Sequence, residues 1–354
     1  MTSWTLTPDR ADSWAVLVAV GTYAGLPPMP EAVASMELLA DHLAGPDGSF
    51  APERVVRLAD PRSPGEVLDR IADAAGRARS TVLLYFAGHG VTSAEGRLHL
   101  ALPGTEDDPE RVPGTALSAE AALAALGQGA AHRIAVLDCC FAGLALDEPA
   151  AADLHLLTAV DRDRRALLNE ELGLTRFAEE LLRLLREGVP DGPADLPLDL
   201  IHHHLAVELA QVPDPVPSLY RPPVPMQRAV DGSGHLALAR NPAHGTALTA
   251  TGLRARAGFA ARQFAVRQYR RPWHQPQAAA RLAAIAADAA AVLGPADLLT
   301  LQLRTAHADA VGSTEGGEAA LALLRPLAAL AAAILPAGSP VLATVKESLA
   351  RWQN

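Results

Sequence analysis

The first two-thirds of the chain alternates short apolar runs with segments of helical periodicity, and this alternation is the strongest constraint on its fold. Trp14 to Gly21 (WAVLVAVG), Thr81 to Phe86 (TVLLYF) and Arg133 to Leu137 (RIAVL) are short and unbroken, as is typical of buried strands. Glu31 to Leu43 and Pro64 to Arg79 carry apolar residues at helical spacing between them. Strands that alternate with helices predict an α/β fold with a mostly parallel sheet.

The remaining segments of this region fit the same pattern. Gly96 to Leu102 (GRLHLAL) alternates polar and apolar residues, which predicts a short hairpin beside the sheet. The many prolines in residues 212–225 predict a surface loop. Further strands are predicted at Arg54–Leu58, Leu154–Val160 and Leu236–Arg240, and further helices at Ala119–Leu126, Thr175–Arg186 and Leu198–Leu209.

The composition changes after Asn241, where the chain becomes rich in Ala, Leu and Arg and keeps only helical periodicity. The change predicts a boundary near residues 242–248. We therefore expect an α/β domain over residues 1–244 and an all-α domain over residues 245–354.

The helical region contains a weak internal repeat with a period of 42 residues. LGPAD at residues 293–297 and LPAGS at residues 335–339 occupy the same point of two helix–turn–helix segments. This pattern resembles the longer variety of tetratricopeptide repeat, and a plain helical bundle is the alternative. The alignment pairs Leu282 with Leu324, Ile285 with Leu327, Val292 with Ile334 and Leu303 with Val345.

Charge and hydropathy narrow the classes of function. The formal net charge is −10, from 30 Lys and Arg against 40 Asp and Glu, which argues against a nucleic-acid-binding surface. The longest apolar stretch, Leu327 to Leu335, is about half the length of a membrane span. The first residues lack the basic and apolar regions of a signal peptide. We expect a cytoplasmic protein with no nucleic-acid or membrane partner.

The chain has two cysteines, and they are adjacent: Cys139 and Cys140. Neighbouring cysteines rarely bridge each other, so no disulfide framework is expected. Two thiols without further ligands at suitable spacing also do not make a zinc site. Each thiol is therefore either buried packing or a nucleophile.

Two predicted strands end in residues that carry chemistry: YFAGHG contains His89, and DCCFAG contains Cys140. In a parallel α/β sheet, ligands bind beyond the carboxyl ends of the strands. A Cys and a His on adjacent loops at that edge make a nucleophile with its proton partner. Strand alternation favours Cys140 over Cys139, because it points Cys139 towards the core, and Gly143 would permit a tight turn after the nucleophile.

AGHG and DCCFAG, in which His89 and Cys140 are 51 positions apart, resemble the catalytic motifs of the caspase-like cysteine peptidases, in particular the bacterial caspase and metacaspase families. AVLVAVGTYAGLPPMPEA, SFAPERVVRLADP and LALARN add to the likeness, which covers roughly residues 12–243. The chain departs from many relatives at Phe141 and Ala142, where they carry His-Ser or Phe-Ser. The resemblance implies a three-layer α/β/α sandwich of the caspase type.

By this resemblance, Cys140 is the nucleophile and His89 protonates the leaving amine. The backbone N–H groups of Gly90 and Cys140 would hold the oxyanion. Asp138 matches the position that lines the primary specificity pocket of metacaspases, which implies cleavage after Arg or Lys. Taken singly, His89 could be a hydrogen-bonded strand-end histidine and Asp138 a helix cap. No cofactor and no metal are implied.

The resemblance thus implies a regulated cysteine endopeptidase that acts on a protein or peptide, in the setting of a bacterial defence or programmed-death system. The C-terminal helices are expected to bind a protein partner. Two alternatives stay open. One is a catalytically silent caspase-like scaffold that acts through its helical repeats, and the other is a maturation peptidase dedicated to one small peptide.

Overall fold

The computed structural model of the chain describes residues 5–162, 168–169, 173–190, 192–209, 224–230, 232–246, 248–249, 252–254, 256–257 and 275–353. The predicted proline-rich loop therefore lies mostly outside the described residues. The chain divides into two compact units. Unit 1 comprises Met1–Gly188 with Pro193–Pro242, and unit 2 comprises Val189–Gly192 with Ala243–Asn354.

Unit 1 is a mixed α/β structure, as the alternating pattern predicts. Its strands are β1 (Trp14–Ala19), β2 (Val55–Ala59), β3 (Thr81–Ala87), β4 (Gly90–Thr92), β5 (Leu98–Leu100), β6 (Leu117–Ser118), β7 (His132–Asp138), β8 (His155–Thr158), β9 (Leu168–Asn169), β10 (Leu174–Thr175), β11 (Asp195–Pro197), β12 (Met226–Arg228) and β13 (Ala237–Arg240). Its α-helices are α1 (Pro30–Ala44), α2 (Pro64–Arg77), α3 (Val112–Thr115), α4 (Ala119–Ala124), α5 (Arg176–Glu187) and α6 (Leu198–Leu209).

The main sheet of the described residues has six strands in the order β12-β8-β7-β3-β1-β2. The strands from β8 to β2 pair in parallel, and β12 joins the edge antiparallel to β8. All seven residues of β3 are buried, which explains why its sequence is an unbroken apolar run. The sheet confirms the prediction of an α/β fold with mostly parallel strands.

Helices cover both faces of this sheet. The chain passes from β1 through α1 to β2 on one side, and returns through α2 to β3 on the other side of β1. Right-handed crossovers in opposite directions place α1 and α2 on opposite faces. In agreement with this, α5 packs against α1, and α4 packs against α2.

Three details of unit 1 differ from the sequence-based prediction. The last predicted strand, β13, pairs with β11 in a separate two-stranded sheet and does not extend the main sheet. The edge strand β12 was not predicted, because Met226-Gln227-Arg228 is short and partly exposed and has no apolar alternation. The predicted hairpin becomes a three-stranded sheet, β4-β5-β6, because β6 pairs with β5.

Unit 2 is helical, as the composition predicts, and follows the 42-residue period closely. Its long helices are α7 (Gln275–Val292), α8 (Leu298–Glu315), α9 (Gly317–Ile334) and α10 (Pro340–Gln353). The first residues of α9 and α10 lie one period after those of α7 and α8. The paired positions also share their environment: Leu282 and Leu324 are fully buried, whereas Val292 and Ile334 are exposed. The two helical pairs are therefore structural repeats of each other.

One helix among the described residues, α9, is long and apolar enough to cross a membrane by length and composition. The helix is longer than the nine-residue apolar stretch seen in the sequence, because a second apolar run, Ala319–Leu324, precedes that stretch and is separated from it by Arg325 and Pro326. Leu324, Leu327 and Ala331 of α9 are buried in one cluster with Val341 and other residues of α10. The apolar residues of α9 thus contribute a packed face to the core of unit 2.

Candidate active site

The loops that carry the predicted dyad leave neighbouring strands at the same edge of the main sheet. β3 and β7 pair in parallel, and their last residues, Ala87 and Asp138, lie directly opposite each other. The N–H of Gly88 donates to the Asp138 carbonyl oxygen at 3.3 Å. His89 and Cys140 each follow two residues after this matched pair. The parallel register therefore brings the two predicted site loops together.

A close backbone contact fixes one loop on the other. A β-carbon added to Gly90 would lie 2.0 Å from the Cys140 carbonyl oxygen and 3.2 Å from the Cys139 sulfur. Such distances leave no room for a side chain, so only glycine fits beside the two cysteines. The residue after His89 therefore rests on the backbone of Cys140.

The two cysteines have different environments. Cys139 is fully buried, as strand alternation predicts, and burial raises the pKa of its thiol well above the usual value. Cys140 is partly exposed. A thiolate is the reactive form of cysteine, and a dry site disfavours it. Cys140 is therefore the better candidate nucleophile of the pair.

The turn after Cys140 is made by Phe141, which has a left-handed backbone conformation with φ of 58° and ψ of 15°. A bulky residue rarely adopts this conformation, and it costs on the order of 1 kcal/mol or more. The predicted role of Gly143 in this turn was wrong. Gly143 instead allows a close approach, since a β-carbon there would lie 2.6 Å from the Asp161 carbonyl carbon.

The imidazole of His89 is oriented by a backbone carbonyl. Its Nε2 atom lies 2.9 Å from the Pro27 carbonyl oxygen, and a carbonyl only accepts hydrogen bonds. Nε2 must therefore carry a proton and donate it. In the neutral ring this leaves Nδ1 as the atom that can accept a proton from a thiol. The loop after β1 thus selects the tautomer that a His proton partner needs.

Tyr23 also holds His89 and was not singled out from the sequence. Its hydroxyl accepts the backbone N–H of His89 at 3.0 Å and donates to the Val20 carbonyl oxygen at 3.0 Å. Its ring lies 4.8 Å from the imidazole, centroid to centroid. Burial raises the pKa of Tyr23, so its hydroxyl keeps its proton. The sequence feature that could have pointed to this role is the tyrosine of GTYAG, in the loop that follows the first predicted strand.

The structure places Asp138, the predicted specificity residue, in the interior of unit 1. Its side chain is fully buried at the end of β7. Oδ2 accepts two hydrogen bonds, one from the Tyr85 hydroxyl at 3.0 Å and one from the Thr175 hydroxyl. Oδ1 is buried and has no hydrogen-bond partner among the described residues. Oδ2 therefore accepts two hydrogen bonds, whereas Oδ1 accepts none from the described residues.

This environment changes the acidity of Asp138. Burial raises its pKa from 3.8 to about 6, although the hydrogen bonds from Thr175 and Tyr85 act in the opposite direction. Thr175 also begins α5, because its hydroxyl accepts the N–H of Ala178 at 3.2 Å. Ser35 of α1 donates to the same hydroxyl at 3.5 Å. The carboxyl group thus lies between the sheet and the layer formed by α1 and α5.

No protein-family model and no curated protein matches the chain. Among solved structures, the crystal structure of Raptor from Chaetomium thermophilum is similar, with 15% sequence identity and a TM-score of 0.37. The match covers 98% of this chain and 39% of the Raptor chain, so this chain spans well under half of that protein. At that identity and TM-score, the likeness assigns neither fold family nor function.

Proposed function

We propose that the chain is a cysteine endopeptidase with a caspase-like catalytic domain, in which Cys140 is the nucleophile and His89 its proton partner. The observation that carries this proposal is the juxtaposition of two loops. Parallel pairing of β3 with β7 and the contact of Gly90 with the Cys140 backbone bring the loop of His89 against the loop of Cys140, whose side chain is partly exposed. The Pro27 carbonyl supports the role of His89, because it leaves Nδ1 available.

The reaction is acyl transfer from a peptide nitrogen to sulfur and then to water. The Cys140 sulfur attacks the scissile carbonyl carbon, and the thiol proton passes to His89. The imidazolium returns that proton to the leaving amine as the C–N bond breaks. Water then hydrolyses the thioester, with His89 as the base. The N–H groups of Gly90 and Cys140 are proposed to hold the oxyanion.

The proposed specificity is for Arg or Lys before the scissile bond. Support comes from Asp138 Oδ1, a buried carboxylate oxygen with no partner among the described residues. Because Oδ2 already accepts two hydrogen bonds, a basic substrate side chain would bond to Oδ1. The carboxylate is enclosed in this structure, so binding requires neighbouring side chains to move aside.

The wider setting is also part of the proposal. We place the protein in the cytoplasm, under control of a signal that belongs to a bacterial defence or programmed-death system. The structural repeat of unit 2, α7–α8 followed by α9–α10, supports a tetratricopeptide-like module. Such helical arrays bind proteins through extended surfaces. Unit 2 is therefore the proposed site for a protein partner.

The test uses purified protein with fluorogenic peptides that end in Arg, Lys, Asp or Ala. We expect cleavage after Arg and Lys that is lost in Cys140→Ala and in His89→Ala. Cleavage after Asp alone would retain the enzyme and overturn the role of Asp138. If no peptide is cleaved and a peptide electrophile does not label Cys140, the scaffold alternative is favoured.

A further inference from the structure

The two proposed site loops are joined a second time by an ion pair away from the dyad. The Nε of Arg97 donates to Glu148 Oε1 at 3.0 Å, and its Nη2 bonds to Glu148 Oε2. The same Nη2 also bonds to Glu120 on α4. A guanidinium that bonds a carboxylate through two nitrogens fixes orientation as well as distance. The pair therefore behaves as a rigid connection.

Glu148 makes this connection more constrained than an ordinary surface ion pair. Glu148 is only 6% exposed, whereas the Arg97 side chain is 49% exposed. A buried carboxylate requires a counter-charge or hydrogen bonds, because desolvation disfavours the bare charge. Arg97 supplies both. The buried Glu148 carboxylate therefore fixes the position of the Arg97 guanidinium group.

Each member of the pair belongs to one of the two site loops. Arg97 is joined to the strand that follows His89, because the Ser93 N–H donates to the Arg97 carbonyl oxygen at 3.0 Å across the turn between β4 and β5. Glu148 directly follows the 3₁₀ helix Ala142–Asp147, which begins two residues after Cys140. The Glu148 N–H donates to Ala145 of that helix at 3.2 Å.

The ion pair complements the contact between Gly90 and Cys140. The contact of Gly90 and the hydrogen bond from Gly88 to Asp138 both lie near the ends of β3 and β7, so neither constrains the far end of the β4–β5 hairpin. The ion pair adds a connection there, seven residues after Gly90 on one segment and eight residues after Cys140 on the other. The 3₁₀ helix also packs directly on β5, so the two segments meet over their length. Contact and ion pair together define the relative position of the two loops.

We propose that Arg97 and Glu148 are positioning residues, which set the geometry between His89 and Cys140. This inference rests on the proposed function, because it concerns the same dyad. Neither side chain takes part in the chemistry. Loss of the ion pair should therefore lower the alkylation rate of Cys140 while the protein stays folded.

The test measures alkylation of Cys140 by iodoacetamide between about pH 5 and pH 9; below about pH 8 a His-activated thiol reacts faster than an ordinary one, because more of it is thiolate. Arg97→Met keeps an unbranched apolar chain in place of the arginine stem and removes the charge and the hydrogen bonds. We expect its alkylation rate at neutral pH to fall about tenfold, since a displacement of about 1 Å can cost 100-fold in rate. Cys140→Ala gives the background from Cys139.

Arg57→Met is the matched control. Arg57 also bonds two carboxylates, Glu37 at 3.0 Å and Asp41 at 2.7 Å, and it lies on β2 at the far edge of the sheet from β12. We expect this variant to alkylate like the wild type. If Arg97→Met and Arg57→Met behave alike, while His89→Ala is slow, the positioning role is overturned and the dyad stands.

If His89→Ala alkylates like the wild type over the whole pH range, the proposed function fails and the positioning role fails with it. Glu148→Gln is the second variant, and it takes the place of Arg97→Met if that protein does not fold. In the double variant, the loss should not exceed that of the worse single variant, because both substitutions remove one interaction. Additive losses would contradict the proposal.

Discussion

Replacement of Asp138 by Asn tests the environment of the proposed specificity residue. Asn has nearly the same shape, and its carbonyl oxygen can accept the hydrogen bonds that Tyr85 and Thr175 now donate to Oδ2. Its amide group then occupies the position of the unpartnered Oδ1. The substitution therefore removes one ionisable group and retains most of the local packing.

The size of the effect follows from the raised pKa of Asp138. Burial raises this pKa from 3.8 to about 6, so between these values the folded protein holds a proton that the unfolded chain releases. The free energy of unfolding must then fall as pH rises through this window. A difference of about two pKa units corresponds to about 3 kcal/mol, fully lost above about pH 7. Asp138→Asn should lack this loss.

Urea unfolding at several values between about pH 4 and pH 8 measures the difference directly. Relative to the wild type, the Asn variant should become progressively more stable as pH rises. Asp147→Asn is the control: it removes an exposed carboxylate, and Arg162 lowers the pKa of Asp147, so its contribution is constant above about pH 5 and falls only towards pH 4. Parallel curves for the wild type and Asp138→Asn would refute a buried, ionised Asp138.

Three further predictions concern the contacts around the dyad and the core of unit 2. Tyr23→Phe removes the hydroxyl that accepts the backbone N–H of His89. We expect peptide cleavage to slow about tenfold, through a lower kcat with little change in KM. An unchanged kcat would contradict this prediction. Gly90→Ala places a β-carbon 2.0 Å from the Cys140 carbonyl oxygen. We expect it to abolish cleavage and to lower the unfolding free energy by about 1 to 3 kcal/mol; wild-type activity would show that the loops separate easily. Leu324→Ala leaves a cavity at a fully buried position and should lower the unfolding free energy of unit 2 by about 2 to 5 kcal/mol. The measurement is the loss of helical circular dichroism in urea. A change below about 1 kcal/mol would show that Leu324 does not belong to the core.

The elements that the sequence predicts well are those with a local apolar signal. Every strand of the main sheet with a buried, apolar run is predicted, and so are both structural repeats of unit 2, because core positions recur at fixed spacing. The adjacency of the two site loops also follows from general rules, since parallel strands end at one edge of the sheet. The two sequence motifs and the predicted order of parallel strands are therefore sufficient to predict that the site loops are adjacent.

The remaining features depend on groups that carry no local signal. The partner of the His89 ring is the backbone carbonyl of Pro27, and any residue could supply a carbonyl. Asp138 is hydrogen-bonded to Tyr85 and Thr175, which are 53 and 37 residues away in the sequence. Strand alternation predicts the burial of Cys139 but not that of its neighbour Asp138, and both are buried because β7 ends at Asp138. Such contacts are consequences of tertiary packing.

Two unfavourable local features lie within four residues of the chain at the candidate site, one on each side of Cys140. Asp138 has a buried oxygen without a partner among the described residues, Phe141 has a left-handed backbone, and Cys140 lies between them. For stability alone, Asn would serve better than a buried carboxylate at position 138, because it avoids the cost of ionisation. Proteins typically accept such local costs where a site requires a particular charge or geometry. The concentration of these costs around Cys140 therefore supports a reactive site at this edge of the sheet more strongly than any one of the contacts does by itself.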